Sequence, residues 1–467
     1  MRASPAARGG ENDVGGEEGA LDPYPLRYLE PDPNDIPRLL DDLPPIGGRI
    51  RVHAEDFEVE EIPLYSACGK GEHCYVTVVK TNRTTLQVRS YMARGLGISV
   101  EEIGFAGFKD RRAVAQQTFS IPRVRPEDVE RLETHWLRVV DATFHRNKLR
   151  TGHLAGNRFR VRIRGVRPGA LEIAREGLER LQRSGVPNFF GPQRYGHQNR
   201  GYRVGRELLH RNVREAVEIL LGVAEDSGEE YRRLYSERKY LEALEALPHG
   251  HQSEIAILHA LRRHPGNFRA AVRRIPRQLK RMYYSAYQSF LFNWCLRERM
   301  EWGMDAFQRP VEGDLVYIAR KGACFLVEDE EEARARAEAG EICPSGPIFG
   351  RKMAFPTGLP GRLERTILEA EGLRPQSFLS HVKGLRLDGT RRPLRIPLEE
   401  VDCAEEEGGA VIALRFRLPP GSYATILLEQ LMGPGATLPP PGGGSSTGGQ
   451  EDLLEEPDEV AGEAAPE

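Results

Sequence analysis

The chain has 467 residues and a formal net charge of −3, a length that suggests about two or three domains rather than one. No apolar run approaches the ~20 residues needed to span a bilayer, no apolar stretch follows the few basic residues of "MRASPAARGG", and the six cysteines form no C-x-x-C pair, which argues against membrane insertion, a secretion leader and structural zinc. A cytoplasmic protein with reduced thiols is expected, and its charge is unevenly spread: residues 1–45 hold 4 basic and 10 acidic side chains, residues 435–467 hold 8 acidic and no basic ones, and the body at 46–434 carries +11.

Both ends therefore read as disordered acidic tails around a polyanion-binding core. From "GGRIRVHAEDFEVEEI" onward, alternating apolar positions at Ile50 and Val52, then at Phe57 and Val59, mark short strands. "EHCYVTVVKT" is a further strand, and "TTLQVRSYMARGLGI" sets Leu86, Tyr91, Met92 and Leu96 at helical spacing before a glycine stop. "GFAGFKDRRAVAQQTFSI", residues 104–121, reads as strand, charged turn and strand, and "RPEDVERLETH" as a short helix with Pro126 near its start. "NRFRVRIRGVR" is the clearest strand, with Phe159, Val161 and Ile163 on one face and Arg158, Arg160, Arg162 and Arg164 on the other. That comb of guanidinium groups is either a solvated edge or a sheet face that binds phosphates.

Beyond residue 200 the pattern turns helical, most clearly in "VREAVEILLGV", "YLEALEAL" and "PRQLKRMYYSAYQSFLFNWCLRERM". Short strands resume at "LRIPLEEVDC" and "AVIALRFRLPPGS", and "YATILLEQLM" closes as a helix. The expectation is an α+β protein: a discontinuous catalytic domain at 46–200 and 379–434, interrupted by a helix-rich α/β insertion at 201–378. Within the insertion, residues 262–281 hold eight Arg or Lys, Arg273 and Arg274 among them, and no acid. Nucleic-acid phosphate is the natural counter-charge for such a block.

The "KDRR" turn raises the sharpest chemical question. It is either an exposed link between strands or a mount for Asp110 as nucleophile or base. An acid moved into an apolar pocket rises in pKa, so cations must surround it if it is to stay ionised. Lys109, Arg111 and Arg112 are available, and continued strand alternation would put Arg112 on the side of Asp110 as its ion-pair partner. A retaining glycosidase or nucleoside hydrolase would need a paired carboxylic acid, which the block does not supply.

Four stretches in order, "HAEDFEVEE", "GFAGFKDRRAV", "VPNFFGPQRYG" and "LPPGSYATILLEQL", resemble the TruD family of tRNA pseudouridine synthases over about residues 46–434. The resemblance implies a pseudouridine-synthase fold on a mainly antiparallel sheet, tRNA as partner, and uridine at position 13 as target. It implies Asp110 as the essential nucleophilic aspartate, and Phe57, Asn188, Phe190 and Tyr423 around the target uridine; Lys109, from the charge of the turn itself, is a candidate for electrostatic support. Tyr423 stands where phenylalanine is also common, and Phe108 replaces a frequent leucine.

These residue types suit the reaction. Extruding a nucleotide costs a few kcal/mol, and aromatic faces return about 1–3 kcal/mol per stacked base. Asn188 offers a donor and an acceptor to the base edge or the ribose, while core packing is the ordinary role of rings such as Phe57, Phe190 and Tyr423. Asp110 could attack C1′, attack C6, or act as a base toward a glycal. Isomerisation requires no metal or organic cofactor, and His249 and His251 of "LPHGHQS" are a weak metal motif. No obligate protein partner is evident and a monomer is expected; the alternative is a noncatalytic RNA-binding or RNA-chaperone protein on the same scaffold.

Overall fold

Strand alternation sets up the central sheet. In the computed structural model, which describes residues 23–222, 229–248, 250–318, 322–379 and 385–437, its first seven strands are β1 Gly47–Arg49, β2 Phe57–Pro63, β3 His73–Thr81, β4 Gly104–Phe105, β5 Val114–Pro122, β6 Leu137–His145 and β7 Leu154–Val166. Two more, Glu399–Glu406 and Val411–Leu418, return to the sheet after the insertion. The spatial order is Glu399–Glu406, Val411–Leu418, β7, β2, β5, β3, β6, with β1 added to β7 and β4 to β5. Only β2 and β5 run parallel, so the sheet is mainly antiparallel. Register places Val59 beside Phe159 and Phe159 beside Phe416, and the Phe159 and Phe416 rings stack with centroids 5.2 Å apart. Phe159, Val161 and Ile163 are buried in one core with Leu178 and Leu181 of helix Ala170–Ser184 and Leu427 and Leu431 of helix Ala424–Met432.

One helix of this half matters for the site. Thr84 caps helix Thr85–Leu96 by accepting from Gln87 N at 3.0 Å, Gln87 Oε1 accepts from Thr84 N at 3.0 Å, and Gly97 at φ 66° ends it. Thr85 is thereby fixed at the first turn, next to the charged loop.

The insertion is organised by helix Arg277–Met300, whose Tyr283, Tyr287, Phe290, Leu291 and Trp294 are all buried. Every residue from Ala286 to Leu296 is buried, so this stretch of the helix is surrounded on all sides. Helix Arg200–Leu209 crosses it at Gly205, where a Cβ would collide with the Tyr283 carbonyl. A small sheet follows, in the order Cys324–Leu326, Leu315–Ile318, Ile342–Ile348, Thr390–Pro393.

Two sets of contacts bear on the expected boundaries. Strand Thr390–Pro393 lies beyond residue 378 yet pairs with Ile342–Ile348, and Arg395–Ile396 pairs with Val186–Pro187, so the insertion is stitched to the catalytic half past the expected seam. Composition does not reveal such hydrogen-bond partners. Residues 23–45 are no loose tail. Ile36 and Leu40 are buried, Arg38 donates to Gln430 O, and Leu39 N donates to Gln430 Oε1 at 2.7 Å. Asp35 pairs with Arg297, whose guanidinium lies 4.1 Å from the Tyr28 ring centroid. The segment straps the C-terminal helix to the insertion's long helix. Of the rest of the expected tails, residues 1–22 and 438–467 lie outside the described residues.

Candidate active site

The "KDRR" loop joins β4 to β5 and is pinned mainly through its backbone. Lys109 N donates to Thr85 Oγ1 at 3.0 Å, and Gln117 Nε2 donates to Gly107 O. Lys80, fully buried, donates from Nζ to Lys109 O at 3.2 Å and to Asp110 O at 2.9 Å, with a third bond to Arg83 O. A buried ammonium is costly unless its donors are used, and here carbonyls on both sides of the acid use them.

The Asp110 carboxylate is met by Arg51. Arg51 Nη2 lies 2.7 Å from Asp110 Oδ1, and the same guanidinium sits 4.2 Å from the centroid of the Phe57 ring. Arg51 itself adopts φ 57°, the left-handed region that costs a non-glycine residue roughly 1–2 kcal/mol. Asp110 keeps 32% of its side chain exposed, so it is open to a ligand while held by a cation. Arg112 is not that cation, contrary to the alternation expected from sequence. The chain bends between Arg111 and Ala113, where Ala113 N donates to Arg111 O at 3.0 Å, and a period of two no longer applies. Lys109 is also placed elsewhere: its Nζ lies 2.7 Å from Glu61 Oε2 with side chains 2% and 3% exposed, so a carboxylate other than Asp110 neutralises it.

Asn188, Phe190 and Tyr423 form a second cluster. Phe190 meets Tyr423 edge-on at 5.9 Å and Phe292 at 5.6 Å, and Gly191 allows this, since a Cβ there would stand 3.2 Å from the Tyr423 ring. Asn293, on the insertion's long helix, accepts from Phe190 N and donates to Phe190 O, both at 2.9 Å. Asn188 donates from Nδ2 to Pro393 O at 2.8 Å and accepts at Oδ1 from Arg392 Nη2 at 2.6 Å. Both ends of its amide thus engage the protein, in contrast to an Asn left open to read a base. Phe57, Phe190 and Tyr423 share one continuous core and are 1%, 2% and 6% exposed, so each is a core ring as well as a candidate stacking surface.

The arginine comb is not bare positive surface. Arg158 pairs with Glu60 and Glu400 at 2.9 and 2.8 Å, Arg160 and Arg162 with Glu406 at 3.9 and 2.8 Å, and Arg164 with Asp56 and Glu407 at 2.8 and 2.9 Å. The acids come from β2 and the turn before it on one side, and on the other from strand Glu399–Glu406 and the turn after it, one strand beyond Val411–Leu418. Burial pushes the Asp56 carboxyl up, but hydrogen bonds from Arg164 and the His53 N–H hold it below its ordinary value on balance. Arg273 and Arg274 differ: both are exposed at the end of helix Phe268–Arg274, and among the described residues no carboxylate pairs with either. Among the described residues no group of three or more His, Cys, Asp or Glu could hold a metal ion, and no helix is long and apolar enough to cross a membrane. His249 lies outside the described residues.

Sequence reasoning missed Arg51, Lys80, Glu61, Asn293 and Arg392. Lys80 had a signal, because it shares the inward parity of Cys74, Val76 and Val78 on β3, all 0% exposed. The others had none, since their partners lie far away in sequence.

An acid on a loop of a mainly antiparallel sheet, clasped by an arginine that rests on an aromatic ring, with a helical insertion bracing a second aromatic cluster, defines a pseudouridine-synthase architecture. The chain belongs to the TruD family: the model described as tRNA pseudouridine synthase D (TruD) matches residues 35–431. The tRNA pseudouridine synthase D of Geobacter metallireducens is 44% identical over 84% of this chain and 96% of its own, and that of Geobacter sulfurreducens 43% identical over 86% and 98%. A crystal structure from Methanosarcina mazei, assigned as tRNA pseudouridine synthase D (TruD), superposes with a TM-score of 0.71 at 26% identity, covering 88% of this chain and all of that one.

Proposed function

We propose that this chain converts a uridine of tRNA, at position 13, into pseudouridine, with Asp110 as the essential acid. The observation that carries the reading is the Asp110 carboxylate itself, part-exposed, 2.7 Å from a guanidinium that rests on the Phe57 ring. The reaction breaks the bond from N1 to C1′, turns the uracil, joins C5 to C1′, and moves the C5 proton to solvent while N1 gains one. Nothing is oxidised or reduced, so the chemistry draws on no cofactor. Attack at C1′, attack at C6 and proton abstraction toward a glycal each use a carboxylate at this point, and Arg51 lies against it at 2.7 Å. Lys80 holds the backbone so that the carboxylate meets the nucleotide in one orientation. Phe190 and Tyr423 form the aromatic wall, and Arg273 and Arg274 supply phosphate contacts on the insertion.

The test is Asp110→Asn, with pseudouridine mapped in tRNA and binding measured in parallel. Isomerisation should vanish, by on the order of 10⁴-fold or more, while tRNA affinity stays within a few-fold. An active Asn variant would remove the catalytic assignment. A wild-type protein that binds tRNA but forms no pseudouridine would leave the RNA-chaperone alternative standing.

A further inference from the structure

The insertion reaches the aromatic cluster through one side chain that touches three separate parts of it. Arg392 stands on strand Thr390–Pro393, about 200 positions from the "NFFG" segment and about 30 from "GSYAT". Its Nη2 donates to Asn188 Oδ1 at 2.6 Å and to Gly421 O at 2.9 Å, and its Nε donates to Asn188 O at 3.3 Å. The Cζ of the same guanidinium lies 4.2 Å from the Phe190 centroid and 5.6 Å from that of Phe292. Gly421 is two residues before Tyr423, whose ring meets Phe190 edge-on. One group therefore fixes the amide of Asn188, the ring of Phe190 and the turn that carries Tyr423.

We propose that Arg392 is a positioning residue for uridine isomerisation: it locks the "NFFG" and "GSYAT" segments together and so makes the insertion a structural part of the target-base pocket. This rests on the proposed synthase activity and adds to it a residue that does not itself touch the reacting atoms. The physical case lies in the guanidinium. It is planar, always charged, and able to give two divergent hydrogen bonds while stacking on a ring, which an ammonium cannot do in one place. Asn293 braces the backbone of Phe190 from the long helix, whereas Arg392 fixes side chain and turn, so the two act on different degrees of freedom. A wall displaced by even ~1 Å can cost on the order of 100-fold in rate while leaving the distant phosphate contacts untouched.

The experiment compares Arg392→Ala and Arg392→Lys with wild type by steady-state pseudouridine formation on a tRNA transcript, tRNA binding, and thermal melting, with and without about 10–50 mM guanidinium chloride, a range chosen to lie well below denaturing concentrations. Arg392→Ala should lower kcat by about 10- to 100-fold, leave tRNA affinity within about threefold, and recover part of its rate when guanidinium is added. Arg392→Lys should recover little, because an ammonium restores the charge without the fork. In Arg392→Ala combined with Asn188→Ala, the losses should fall well short of multiplying, since both changes release the same segment. Full activity of Arg392→Ala would overturn the proposal, as would losses that multiply, or a loss that tracks melting temperature with no guanidinium rescue. Should Arg392→Ala fail to fold, the Lys variant decides alone: wild-type kcat in it overturns the proposal, and a lowered kcat with a normal melt supports it. A wild-type protein with no activity would count against the synthase reading instead, which keeps the two failures apart.

Discussion

The two clusters of the candidate site are built by different means. At the acid end, Asp110, Arg51, Phe57, Lys80 and Glu61 all come from residues 51–110 and the strands around them. At the aromatic end, Asn188, Phe190 and Tyr423 are held by Arg392 and Asn293, which the chain supplies from a small strand and a long helix more than a hundred residues away from "NFFG". The acid end is thus a product of local sheet geometry, and the aromatic end a product of docking between two parts of the molecule. Their burial differs too: the carboxylate is a third exposed, whereas the Phe190 and Tyr423 rings are almost closed off. The proposed role of Asp110 needs an oxygen open to solvent and substrate, while buried rings gain stability from being packed.

The comparison can be broken or sharpened at three points besides Asp110 and Arg392. Arg51→Ala should have the largest effect, lowering kcat by about 10²- to 10³-fold with tRNA affinity nearly unchanged, because it removes the cation facing the acid and leaves the aromatic cluster alone. If kcat in single-turnover measurements stayed near wild type, the acid end would not depend on its arginine. Lys80→Met should follow, destabilising the protein by about 2–4 kcal/mol in urea melts, since three carbonyls lose a buried partner. A melt equal to wild type would mean that solvent can replace the ammonium there. The smallest effect is expected from Arg273→Glu with Arg274→Glu, which should weaken tRNA binding several-fold and lower the slope of log K against log salt by about two, with kcat at saturating tRNA preserved. An unchanged slope would take the insertion's basic face out of RNA binding.

Much of this was legible before any coordinates. The strand over 154–166, its buried Phe159, Val161 and Ile163, the helix over 277–300 and the turn that carries Asp110 follow from periodicity and glycine spacing. The ion pairs were not legible. Alternation pointed to Arg112 for Asp110, but a bend at 111–113 breaks the period, and Arg51 approaches from a turn 59 residues earlier. The arginines of β7 looked like a phosphate comb because the acids that neutralise them lie on segments either side of it in the sheet and far from it in sequence. Residues 23–45 looked like tail because their composition is polar and proline-rich, while their order comes from Ile36, Leu40 and Arg38 finding partners on helices near 297 and 430.

Sequence alone determined which residues can be acid, cation, ring and amide, and which face of each strand turns inward, because these depend on side-chain chemistry and on a two-residue repeat. Tertiary structure alone decided which cation meets Asp110, that Asn188 is tied to Arg392, and that Asn293 holds the backbone of Phe190. Those outcomes depend on distances of a few ångströms between segments that only folding brings together, and charge and hydrogen-bond energies change steeply over such distances.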